Sequence, residues 1–174
     1  MLDENKYLYW LNKNNIEIND EVVWRELYCR IGYIFHVIQM IEYNIANIIA
    51  LEKFEKFKKD VYTKKDVEKI RKSIDKKFNN ISSLTFGGLN KLVDSSKYLS
   101  SLDKDELHKI KDYRDFLAHR CFKEKLLDES LKTLEQVDAF IDELNEYEVR
   151  CKLMNKSLLN IFKENRIKRI FLNE

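Results

Sequence analysis

Residues 20 to 57 read DEVVWRELYCRIGYIFHVIQMIEYNIANIIALEKFEKF, with Val23, Leu27, Ile31, Ile34, Ile38, Ile41, Ile45, Ile48 and Ile49 recurring at helical spacing. Asp20 offers a side-chain oxygen to backbone N–H groups that have no intrahelical acceptor, so the spacing predicts one long helix from Asp20 to about Phe57. Its middle is apolar on most sides, which marks it as the central helix of a bundle.

Working outward, Thr63 and Asp66 form an imperfect capping box for a second helix whose inward side is Val67, Ile70, Ile74, Phe78 and Ile81. The segment Ser82-Ser83-Leu84-Thr85-Phe86-Gly87-Gly88 interrupts the helical text with serines and paired glycines, and a short third helix is expected from there to about Leu99. Ser100, Ser101 and Asp103 supply the stop and the new N-cap, and a fourth helix runs through Leu107, Ile110, Arg114, Leu117 and Cys121. The last helix is expected from near Asp128 to about Asn165, through Leu131, Leu134, Val137, Ile141, Leu144, Leu153 and Leu158.

The chain has no proline and three glycines in 174 residues, which leaves few breakers and favours long helices. The expected fold is all-α, an antiparallel bundle of four to five helices with long first and last helices. A chain of this length supports one core, so we read one domain: an N-terminal arm over 1–18, the bundle over 19–165 and a basic tail over 166–174. No stretch approaches 18 uncharged apolar residues, and MLDENKYLYW lacks the basic start and apolar run of a signal peptide, so a cytoplasmic chain with no membrane partner is expected. Cys29, Cys121 and Cys151 are scattered without CxxC spacing and read as free thiols.

The net charge of +2 conceals two opposed blocks. Lys53 to Lys77 holds eleven basic residues against five acids, whereas Glu124 to Glu148 holds nine acids against two lysines. The basic stripe, with Lys69, Lys72 and Lys76, suits a phosphate backbone, although such runs are more often plain solvated helix surface.

The chemistry concentrates at Arg114. Arginine occupies the middle of the apolar stripe Leu107, Ile110, 114, Leu117, Cys121, and an unpaired guanidinium away from water costs several kcal/mol, roughly, so a partner carboxylate, an anion or a cleft must compensate it. Glu42, between Ile41 and Ile45 on the central helix, is the best partner for a purely structural ion pair and is also a candidate to support a site built on Arg114. Five residues on stands His119, turned about 140° around an ideal helix. A guanidinium that clamps phosphate oxygens and an imidazole that titrates near neutrality are suited to flank a phosphodiester.

Arg114-Asp115-x-x-x-His119, near the end of a helix in an all-α chain, resembles the motif of the HEPN superfamily. The likeness implies a bundle of four or five helices and a metal-independent endoribonuclease acting in toxin–antitoxin, abortive-infection or CRISPR-associated defence. It implies Arg114 and His119 as catalytic residues, Asp115 as the group that orients them, no metal and no cofactor. RNA is the implied substrate, an antitoxin or other defence protein the implied partner, and a homodimer with one composite site the implied assembly. Some HEPN toxins extend the motif to R-x4-H-x-Y; here that position is Cys121, and Phe122 beside it has no hydroxyl to accept a nucleotide.

Other readings compete. His108, Asp112, Asp115 and His119 line one helix face at steps of four, three and four, as metal ligands can, but one face rarely supplies four ligands to one ion. His36 reads as a satisfied core histidine, Tyr28, Phe35, Phe54 and Phe57 as core aromatics, and Gly87-Gly88 as a tight turn without the Lys-Ser/Thr of a P-loop. The alternative function is a non-catalytic HEPN-like module that binds RNA, a nucleotide or a partner's carboxylate through the same arginine.

Overall fold

A computed structural model describes residues 20–53, 63–127 and 134–171. All regular structure among the described residues is helical: α1 (Asp20–Lys53), α2 (Lys64–Ser82), α3 (Phe86–Asp94), α4 (Ser101–His119), a π-helical segment (Phe122–Leu127) and α5 (Leu134–Phe171). The all-α class with long first and last helices is therefore as expected. The arm over 1–18, Phe54, Phe57 and the start of the last helix near Asp128 lie outside the described residues.

Local chemistry sets the helix starts. Thr63 accepts a hydrogen bond from the Asp66 backbone while the Asp66 carboxylate accepts from the Thr63 N–H at 3.1 Å, a complete capping box. Ser100 and Asp103 repeat it at the start of α4. The paired glycines are not the turn itself. They form the first turn of α3 behind the N-cap Thr85, whose hydroxyl accepts from Gly88 N at 3.3 Å, and the break falls at Ser83–Leu84. α3 stops at Asp94, short of Leu99, where Ser95 caps it. α5 continues to Phe171, so residues 166–171 of the expected tail are helical.

The core gathers around α1: Leu27, Ile34, Ile38, Ile41, Ile45 and Ile48 are sealed from solvent, with Ile81, Phe86, Leu89, Leu107, Ile110, Leu144 and Leu158 closing over them. By length and composition the span Arg25–Glu52 is apolar enough to cross a membrane; more than half of that window is buried inside the bundle, and the core helix of a bundle passes the same test. Burying Val, Leu, Ile or Phe side chains is worth about 1.5–3 kcal/mol each before conformational entropy is subtracted, so this cluster is the main cohesive term.

Polar contacts fix the register. α4 and α5 run antiparallel: Tyr113 Oη donates to Glu143 at 2.6 Å, Tyr147 Oη to the Ile110 carbonyl at 2.5 Å, and Arg150 Nε to Glu106 at 2.8 Å. Arg30 bonds Asn145 and Asn44 Nδ2 donates to Asn155 Oδ1 at 2.8 Å, contacts that advance together, so α1 and α5 run parallel.

Three expected core positions are corrected. Val67 is 54% exposed because α2 rests on the bundle through a narrow face, with Ile70, Ile74 and Phe78 half-buried and Ile81 buried. His36 and Tyr28 are exposed on a side of α1, and the His36 ring lies 6.3 Å from Tyr33 instead of inside the core. Phe35 is half-buried against the core.

Candidate functional site

Arg114 sits on α4 between Ile110 and Leu117, both buried, so its aliphatic stem starts on the core side of the helix. Its head escapes: the side chain is 31% exposed and Nη1 donates to Asp115 Oδ1 at 3.0 Å. This is snorkelling, in which the stem is buried and the charge turns outward. Nε is sealed from solvent with no hydrogen-bond partner, so the fold leaves this guanidinium incompletely satisfied.

Glu42 does not complete it. It is half-buried on α1, and no ion pair within 4.0 Å joins it to Arg114 among the described residues. Burial pushes the Glu42 carboxyl above its ordinary value, and the more distant charge of Arg114 opposes that without cancelling it. The ion pair of the rival structural reading is thus absent, and the two groups interact only through their charges at longer range.

Asp115 takes two cations instead. Its Oδ1 accepts from Arg114 and its Oδ2 from Lys111 Nζ at 2.9 Å, while Lys111 also reaches Asp112 at 3.3 Å. Burial alone would raise the Asp115 carboxyl, but the hydrogen bonds and charges of Lys111 and Arg114 outweigh it and hold the group below the usual carboxylate range. The Asp115 bond in turn raises the Lys111 ammonium above its ordinary value. Lys111 was not among the expected site residues. Its signal was present, since it stands four residues before Asp115, where opposite charges meet on a helix.

His119 is the last residue of α4, exposed, and makes no hydrogen bond, ion pair or ring contact among the described residues. The helix then breaks at Arg120, with φ −122° and ψ −30°, before the π-helical segment, and π-turns inside helices often mark functional sites. Arg120 lies over the Phe116 ring at 5.5 Å. The chain therefore places Arg114, Asp115 and Lys111 in one network and leaves His119 one turn further on, open to solvent. A phosphate can be held by the cationic part, and a proton can be carried by the imidazole.

The metal-like row is not drawn together. His108 Nε2 faces Asp94 Oδ1 at 2.8 Å and its Nδ1 faces Asn90 Nδ2 at 3.1 Å, an interaction with α3, while Asp112 is 78% exposed. Among the described residues no group of three or more His, Cys, Asp or Glu side chains gathers as metal ligands would. Cys121 is buried, and burial pushes its thiol up to about 11; Cys151 is raised likewise to about 11. Lys69, Lys72 and Lys76 are exposed along α2, with Lys72 loosely paired to Glu68 at 3.4 Å. Compared with protein-family models, curated proteins and solved structures, the chain matches none.

Proposed function

We propose that this chain is a metal-independent endoribonuclease of HEPN type, acting in the cytoplasm within a toxin–antitoxin, abortive-infection or other defence system. One observation carries the reading: Arg114 is rooted in the apolar stripe yet turned outward, without a hydrogen bond or close ion pair to a side chain of another helix, five residues before an exposed His119. In the proposed reaction the RNA 2′-hydroxyl attacks the adjacent phosphorus, the 5′-oxygen leaves, and a 2′,3′-cyclic phosphate forms. Arg114 stabilises the more negative phosphorane, His119 moves a proton, and Asp115 orients the guanidinium. DNA lacks the nucleophile. Lys69, Lys72 and Lys76 would add affinity for the backbone without reading its sequence.

One imidazole serves one proton transfer, whereas the reaction profits from both a base and an acid, so we propose a homodimer in which two copies of α4 supply two Arg114 and two His119 to a shared cleft. The isolation of His119 within one chain supports this. It also favours the second reading, a non-catalytic HEPN-like module that binds RNA or a partner protein through Arg114. Incubating the purified protein with total RNA in EDTA separates the two. Cleavage that survives chelation, leaves 2′,3′-cyclic phosphate or 3′-phosphate ends and disappears in His119→Ala is the enzyme's result; ends with a 5′-phosphate and 3′-hydroxyl exclude the mechanism.

A further inference from the structure

We infer that Lys111 is a positioning residue: it holds one oxygen of Asp115 so that the carboxylate cannot close over the Arg114 guanidinium, which keeps donors free for a phosphate. The inference rests on the reading of Arg114 as a phosphate-binding group and adds to it the residue that keeps that group available.

The problem is competition. Arg114 and Asp115 are sequence neighbours, and a carboxylate with two free oxygens is the strongest ligand a guanidinium meets in a protein, taken in a two-point fork. Such a fork would neutralise Arg114 and occupy the donors that a phosphodiester needs. In the structure the fork does not form: only Oδ1 touches Arg114, through Nη1 at 3.0 Å, and Oδ2 is engaged by Lys111 Nζ at 2.9 Å. A guanidinium has five N–H donors. Nε is sealed and one Nη1 hydrogen is given to Asp115, which leaves the other three on a side chain 31% exposed.

Lys111 is itself held for this task. It is 27% exposed, straddles Asp112 and Asp115, and its Cε lies 3.9 Å from where a Cβ on Gly87 would stand. The first turn of α3 thus has a glycine where the lysine stem passes.

A lysine that acts through Asp115 and a lysine that touches RNA directly give different results in combination. The probe is a single-stranded RNA with 2′-O-methyl riboses, which binds without being cut, measured with wild type, Lys111→Met, Lys111→Arg, Asp115→Asn and Lys111→Met/Asp115→Asn. Lys111→Met is expected to weaken binding about tenfold, the worth of one charge-assisted hydrogen bond lost by Arg114. Lys111→Arg restores most of it. In the Asp115→Asn background Lys111→Met should change affinity by less than about twofold, because the uncharged amide does not compete for the guanidinium. A carbon-13 titration of the Asp115 carboxyl should follow, its midpoint moving up in Lys111→Met. A tenfold loss that persists in the Asp115→Asn background makes Lys111 a direct RNA ligand and overturns the inference, as does an unchanged affinity or an unmoved Asp115 titration in Lys111→Met. A wild-type chain that does not bind the RNA at all overturns the reading of Arg114 on which this one stands.

Discussion

Arg114 gives its Nη1 to its own neighbour Asp115 at 3.0 Å and forms no ion pair within 4.0 Å with Glu42, although the two opposite charges act on one another between α4 and α1. The fold therefore does not depend on Arg114 as a buried ion-pair partner. Arg114→Ala is expected to keep its helical circular dichroism and to lose no more than about 1 kcal/mol of stability, the usual scale for a partly exposed position. RNA cleavage in the same variant should fall by about 10²–10³, the range seen when a donor to a developing anion is removed. Thermal melts and cleavage rates measured on one preparation check both; a variant that unfolds would return Arg114 to a structural role.

The sign of the Glu42 shift makes a second expectation. Burial raises this carboxyl above its ordinary value, so the folded chain holds the Glu42 proton more tightly than the unfolded chain does. Charged Glu42 then costs stability at neutral pH, and the cost disappears as pH falls below the unfolded value of about 4.3. Glu42→Gln should melt above wild type at pH 7, with the difference shrinking toward pH 4. A lower melting temperature at pH 7 would mean that the attraction of Arg114 outweighs desolvation. Asp115 has the opposite sign: its lowered carboxyl contributes stability at neutral pH that is lost only as pH falls through its folded value, below the unfolded value of about 3.9.

Much of this was legible in the sequence wherever the determinant is local. Thr63 with Asp66 and Ser100 with Asp103 are complete within four residues: the box read as imperfect at Thr63 forms in full, and the stop and N-cap read at Ser100, Ser101 and Asp103 is a second capping box with Ser100 as its N-cap. The isoleucine repeat of α1 announces its own burial, and Arg114 stands out because one charge interrupts one stripe. What failed depends on which helix covers which face. Val67 has the right spacing to point inward, but α2 rests on the bundle through too narrow a face to cover it. His36 lies among isoleucines in sequence yet on a side of α1 left open to solvent. The distance from Arg114 to Glu42 needs the register of two helices, which no periodicity supplies.

Asn44 and Asn155 test the register of the parallel pair. Asn44 is 7% exposed and donates to Asn155 at 2.8 Å. Asn44→Ala should cost about 1–3 kcal/mol by stranding a polar partner, whereas replacing both with leucine should be close to neutral in stability because nothing polar is left unpaired. Urea melts of the single and double variants check this. Equal losses in both would show that the pair is not a coupled unit.

Lys69, Lys72 and Lys76 are exposed at steps of three and four along α2, which places them on one flank. If they meet phosphates, neutralising all three should weaken RNA binding and reduce the slope of log affinity against log salt by about 2, at roughly 0.7 per phosphate on a single strand. The measurement is a binding isotherm at several salt concentrations. An unchanged slope makes the stripe ordinary solvated surface.

The assembly prediction follows from His119, which is exposed at the end of α4 and makes no side-chain contact with Arg114 or Asp115 among the described residues. If one chain held a complete site, a dead copy would be a bystander. If two chains share a site, it would be a poison, since each mixed dimer lacks one imidazole. Mixing wild type with a ninefold excess of His119→Ala, after allowing the chains to exchange, leaves roughly a tenth of wild-type chains paired with another wild-type chain in a two-fold assembly. Cleavage per wild-type chain should therefore fall to about that fraction, with molecular mass by light scattering showing the dimer throughout. The exchange must be verified with differently tagged copies, because dimers that never dissociate would preserve activity trivially. A monomer at working concentration, with activity untouched by the excess, would mean that each chain cuts alone and that its second proton carrier is water or another of its own side chains.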